Sequence, residues 1–155
     1  MEKFAFMIHP LDISDMSRKF NFAKYLPEKL VEKAIRCLPA MKVSHITGAA
    51  SSLNEAEGWF VACPLTARQM IELPEKYVMK RIIAAGRVAE KLGAKILGLG
   101  AFTSVVGDAG ITVANNLNIS VTTGNSFTVA TAIQGAKKAS KLMGHDFRNS
   151  NIVIV

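Results

Sequence analysis

Apolar residues change their spacing several times along the chain, and each change marks an element. Phe4–His9 is a short apolar run ended by Pro10, which predicts a strand. Asp12 or Ser14 is placed to cap a short helix running through Phe20. From Pro27, a good first-turn residue, Leu30, Val31, Ala34, Ile35 and Leu38 recur at helical spacing. They predict a helix to about Cys37, before Pro39. Val43–Gly48 and Gly58–Ala62 are β-like and flank the polar stretch Ala49–Glu57, so an antiparallel hairpin is expected. Thr66 caps a helix that ends near Leu73. Pro74 then opens a longer helix, Glu75–Leu92, with Gly93 as its stop. The core face of that helix is Val78, Ile82, Ala85, Val88, Ala89 and Leu92.

Beyond it the pattern alternates. Lys95–Leu99 is a short apolar strand, and a loop with Gly107 and Gly110 leads to a helical segment near Ile111–Asn116. Ile119–Thr122 is a strand, Ser126–Met143 a helix stopped by Gly144, and Asn151–Val155 an apolar strand. Helix–strand alternation from residue 75 onward implies parallel strands joined by right-handed crossovers. The expected class is α/β: a three-layer sandwich with a mainly parallel sheet flanked by helices. Ligands of such sheets sit at the carboxyl ends of the strands, which directs attention to the loops after Leu99 and Thr122.

Composition narrows the partners. Half of the 155 residues are hydrophobic and 20% are charged, which suits one domain with a real core. No apolar run approaches the ~18 residues of a membrane span, and the N-terminus lacks a signal peptide's apolar region and cleavage site. A cytoplasmic protein is expected. Cys37 and Cys63 have no paired Cys/His spacing, so no metal site is expected. The net charge of +7 favours an acidic partner. The basic residues form no run with interleaved aromatics, so nucleic acid is not that partner.

Four segments carry candidate chemistry. In Gly98–Ser104, small residues allow close backbone approach, and Thr103 and Ser104 offer hydroxyls beside Phe102. The same hydroxyls also suit a plain strand-to-loop turn that caps the next helix. The spacing is not GxGxxG, so it is no phosphate fingerprint. In Thr122–Thr128, the residues Thr123, Gly124, Asn125 and Ser126 meet at a helix start, where unpaired N–H groups favour an anion or a polarised carbonyl. The plain alternative is that Asn125 or Ser126 is only the N-cap. Cys63 precedes a helix and is a candidate nucleophile, although a cysteine on an apolar strand is more often core. His9, at a strand end, is the histidine placed to face a ligand or to serve the structure. Lys76, Lys80, Arg87 and Lys91 share one helix face, which is either solvated surface or a dock for an acidic carrier protein.

Four stretches, Phe4–His9, the Thr47–Pro64 hairpin ending in Cys63-Pro64-Leu65, Leu99–Val106 (LGAFTSVV) and Thr122–Thr128 (TTGNSFT), occur here in order. In that order they resemble the N-terminal half of the cyanobacterial-type long-chain acyl-ACP reductases and the related shikimate/quinate dehydrogenase-like proteins. The resemblance spans essentially the whole chain, with departures at Gly107-Asp108 and Phe127. It implies a fold like the N-terminal domain of amino-acid and shikimate dehydrogenases. It also implies an intact NAD(P)-dependent oxidoreductase that reduces a fatty acyl thioester to an aldehyde or interconverts a carbonyl and an alcohol.

On that reading residues 1–150 are the substrate domain, and 151–155 are the first strand of a Rossmann domain that continues past Val155. Phe102, Thr103, Ser104, Thr123, Gly124, Asn125 and Ser126 line the substrate side. NADPH or NADH binds the intact protein and not these residues, and this chain alone is inactive. The family's acyl-accepting cysteine lies beyond the Rossmann loop, so Cys63 does not inherit its role. The terminal apolar strand is expected to be disordered or paired across a homo-oligomer. The alternative reading is a non-enzymatic module that docks an acidic carrier through its basic helix.

Overall fold

The structure is a computed structural model that describes residues 2–14, 25–52, 54–151 and 153. It forms two compact units, Met1–Thr123 and Gly124–Val155. The first contains strand β1 (Glu2–Ile8), helix α1 (Glu28–Cys37), strands β2 (Met41–Ala50) and β3 (Glu55–Ala62), and helices α2 (Ala67–Glu72) and α3 (Glu75–Lys91). Strand β4 (Ile96–Leu99), a 3-10 turn (Ala101–Ser104), helix α4 (Ile111–Asn115) and strand β5 (Ser120–Thr122) complete it. The sheet order is β2-β3-β1-β4-β5. Only the β2–β3 pair is antiparallel; β1 runs parallel to β3 and β4, and β4 to β5. The class is α/β, a mainly parallel sheet flanked by helices, as the alternation of elements requires.

Alternation along β1 sorts its side chains. Ala5 and Met7 are buried with Val61, Leu97 and Leu99 beneath α3, which contributes Val78, Ile82, Ala85 and Ala89. Val88 and Leu92, expected in this face, are only partly buried, whereas Met79 and Gly86 are buried. The face is rotated because α3 also meets the segment around α4. Gly86 leaves room for Leu117, whose Cδ1 lies 2.5 Å from where a Cβ would stand.

Phe4 and Phe6 point to the opposite face. Their rings lie over glycines of the neighbouring strands, Phe4 over Gly58 and Phe6 over Gly98 and Gly100. Phe6 and Phe60 meet edge to face at 6.1 Å.

The hairpin is longer than its pattern predicts. β2 and β3 extend to Ala50 and Glu55, and the connection closes where Ser51 N–H donates to Asn54 O at 2.8 Å. Most of β2 is exposed, so polar residues carry no penalty there and the alternation fades. The expected helix ending at Phe20 falls largely on residues 15–24, outside the described residues.

The second unit consists of helix α5 (Asn125–Leu142) and a 3-10 turn (Phe147–Asn149) that folds back on it. Lys137 Nζ sits 5.8 Å from the Phe147 ring centre, and Ser140 Oγ donates to His145 O at 2.9 Å. Of the expected strand Asn151–Val155, residues 152, 154 and 155 lie outside the described residues.

Gly98 and Gly100 separate two kinds of crowding. A Cβ on Gly98 meets the Phe6 ring at 2.7 Å, whereas one on Gly100 meets Met7 O, a main-chain atom, at 2.5 Å. Each Gly→Ala change should cost about 1–3 kcal/mol in urea unfolding. In a Phe6→Ala background the Gly98→Ala cost should largely vanish and the Gly100→Ala cost should persist. Equal relief at both positions would contradict this packing.

Candidate functional site

Parallel pairing lines up the strand ends. Ile8 pairs with Ala62, Met7 with Leu99, and Gly98 with Thr122. The first residues beyond the strands therefore form a row along one sheet edge: Cys63, His9, Gly100, Thr123. This edge brings together His9, Cys63, the Gly98–Ser104 segment and Thr123, but neither the residues that begin α5 nor the basic stripe of α3.

His9 is a half-buried splint. Its Nε2 lies 3.2 Å from Phe102 N and its Nδ1 2.9 Å from Pro10 O. A main-chain N–H only donates and a carbonyl only accepts, so Nε2 is the bare acceptor and Nδ1 carries the proton. Both nitrogens of the neutral ring are thereby committed. The ring also meets Phe102 edge-on at 6.1 Å. Protonating Nε2 replaces the acceptor with a donor and breaks the bond to Phe102.

The turn after β4 closes on itself. Thr103 is buried and its hydroxyl donates to Gly100 O at 2.7 Å, while Ser104 Oγ donates to Ala101 O at 2.7 Å. Ala101 at φ 48 and Ala109 at φ 55 bracket this loop in the left-handed region, where a Cβ is strained. Thr103 thus holds the loop, and Phe102 and Ser104 stay partly accessible.

Thr123 differs. Among the described residues its hydroxyl has no hydrogen-bond partner. It lines a concavity of about 280 Å³ with Ala109, Gly110, Ile111, Ala114, Val121 and Thr122. Sequence reasoning missed the first four of these and Val121. They are small or apolar residues with no chemistry of their own, and only the strand register brings them together.

In the second unit, Gly124 at φ 72 is the N-cap of α5, and the helix has no side-chain cap. Neither Asn125 nor Ser126 caps it, contrary to the plain reading of that motif. Both are exposed on its first turn.

Cys63 is fully buried in the core beneath α3. Desolvation pushes its thiol from an ordinary 9.0 up to about 12, against a smaller opposing effect of Arg81. The group is an inert core thiol near neutral pH, not a nucleophile. Arg81 runs to the end of α1, where its guanidinium donates to Leu38 O. Among the described residues no group of three or more His, Cys, Asp or Glu side chains could hold a metal. No described helix is long and apolar enough to cross a membrane.

No protein-family model matches the chain. Over 136 residues it is 28% identical to a curated protein, the aminotransferase PigE of Serratia sp. (strain ATCC 39006). The match covers 81% of this chain, which spans 16% of that relative's length.

Four measurements check the site. Iodoacetamide at pH 8 should label exposed Cys37 in the native protein and leave Cys63 untouched until denaturant is added. The unfolded Cys63 thiol ionises near 9.0 and the folded one near 12, so the unfolded state holds fewer protons in that window. Stability should fall as pH rises from about 9 to about 12, and a Cys63→Ala variant should lose this slope. For His9, imidazole nitrogen shifts should report the Nδ1–H tautomer. His9→Ala should cost about 1–3 kcal/mol through the orphaned Phe102 N–H. An Nε2–H tautomer would overturn the splint.

Proposed function

We propose that the chain is the substrate-side domain of an NAD(P)H-dependent oxidoreductase acting on an acyl thioester or a related carbonyl/alcohol pair. The observation that carries this is the row of strand ends beside the 280 Å³ concavity, with a free Thr123 hydroxyl at its edge. A site at the carboxyl edge of a parallel sheet is where α/β domains hold ligands. The resemblance of LGAFTSVV and TTGNSFT to the acyl-ACP reductase and shikimate dehydrogenase-like proteins supplies the reaction class.

The turn after β4 does not fit the phosphates of a dinucleotide. Where a phosphate-binding turn after β4 would present a third glycine, Thr103 stands, buried and bonded to Gly100 O. Phe102 N–H, which would face a phosphate, is taken by His9. On this reading the cofactor is held elsewhere than at this turn.

What this chain contributes is orientation and polarity. Val121, Ile111 and Ala114 offer an apolar wall beside the reacting carbonyl. Thr123 Oγ1 donates a hydrogen bond to its oxygen as negative charge develops there.

The test is NADPH-dependent reduction of an acyl-CoA by the complete polypeptide. Thr123→Val should lower kcat/KM by roughly 10²-fold, the size of one lost oxyanion donor. An unchanged rate would remove Thr123 from the site. The 155-residue chain alone should bind no NADPH by calorimetry, and tight binding would overturn the domain assignment.

A further inference from the structure

Helix α3 is amphipathic in charge as well as in hydropathy. Val78, Ile82, Ala85 and Ala89 are buried, while Lys76, Lys80, Arg87 and Lys91 are exposed along the opposite face. At 1.5 Å per residue these four cations span about 22 Å. Among the described residues none of the four forms an ion pair.

The acids nearby are engaged elsewhere or sit at the helix start. Glu90 accepts from Asn118 N–H, and Asp108 accepts from Thr112 N–H at 3.0 Å and its hydroxyl at 2.6 Å. Glu75 lies in the first turn, against Gly107. A solvated helix face in a chain with 12 acidic residues would ordinarily interleave the two signs. This face does not.

The stripe also has an apolar floor. Between α3 and α4 lies a shallow hollow of about 550 Å³ lined by Glu75, Lys76, Met79, Lys80, Ile83 and Thr112. Two ammonium groups thus flank a methionine and an isoleucine. A phosphate backbone has nothing apolar to place on such a floor, and the aromatic residue of α3, Tyr77, is partly buried against the core with Arg36 over its ring rather than open to stack a base. A helix with carboxylates on either side of an apolar side chain fits both features.

We infer that the α3 face docks an acidic helical protein, whose carboxylates meet Lys76, Lys80, Arg87 and Lys91 and whose apolar residue seats on Met79 and Ile83. Its place deepens the proposed function. Thr112 of α4 lines this hollow, while Ile111 and Ala114 of the same helix line the concavity beside Thr123. The partner docks one short helix away from the substrate site, as a protein that delivers a tethered substrate must.

Binding can be read without any reaction, so its failure is separable from that of the oxidoreductase reading. The probe is acyl carrier protein, a small acidic helical protein, titrated into the chain by calorimetry at low salt. Lys76→Glu/Lys80→Glu should weaken binding by at least roughly tenfold, and added salt should weaken the unaltered complex. Lys137→Glu/Lys138→Glu on α5, the same change in net charge, should weaken it by no more than about twofold. Ile83→Ser, with its helicity checked by circular dichroism, should weaken binding at both low and high salt. The inference is overturned if both charge reversals weaken binding equally. It is also overturned if poly-glutamate binds as tightly as the carrier, or if a duplex DNA binds more tightly through the same lysines.

Discussion

The fold depends on β1 lying between β3 and β4 and running parallel to both. Met7 faces Val61 on one side and Leu99 on the other, so the first strand of the chain is completed by partners some 50 and 90 residues later. A central parallel strand needs both faces covered or apolar. Its inward side chains, Ala5 and Met7, are fully enclosed under α3. Its outward ones, Phe4 and Phe6, spread across glycines on both neighbours. These glycines let large rings lie flat on the sheet, and in return the rings cover a backbone that bears no side chain of its own.

The same pairing explains why the elements were legible and the site only partly so. Helices α1, α3 and α5 announce themselves by period and by proline or glycine at their ends, because those signals act locally. Strand order does not. The sequence pattern implied parallel strands only from residue 75 onward, and nothing in Phe4–His9 says that it inserts between β3 and β4. The loops after β4 and β5 were legible as candidates because glycine and hydroxyl residues cluster there. What each hydroxyl does was not. Thr103 and Thr123 are the same residue type in similar loops, yet one is buried on a carbonyl and the other is free at a concavity. His9 and Cys63 show the same limit, since a ligand-facing histidine and a splint differ only in what the neighbouring loop brings near.

A rigid loop frames the open part of the edge. His9 pins Phe102, Thr103 pins Gly100, and Ser104 pins Ala101. Each bond removes a group from the set that could bind a ligand. Together they fix the turn in which Ala101 takes a strained left-handed conformation. The edge therefore carries, beside its open Thr123 end, a turn held more tightly than a free loop.

Helix α4 is the joint between the two surface features of this unit, and Asp108 sets its position. The Thr112 hydroxyl, and after it the Thr112 N–H, hold the exposed Asp108 carboxyl below the ordinary carboxylate range. These bonds tether a helix of only five residues, too short to be stable by its own hydrogen bonds, whose N-cap Gly110 brings no side-chain cap. On its core side, Val113 anchors the helix under the sheet. Its remaining faces are then determined: Thr112 turns to the basic hollow of α3, and Ile111 and Ala114 turn to the concavity at the strand ends. A displacement of α4 must reshape both hollows at once. The wall between the two hollows is thus a helix of only five residues, held in place by its neighbours rather than by its own hydrogen bonds.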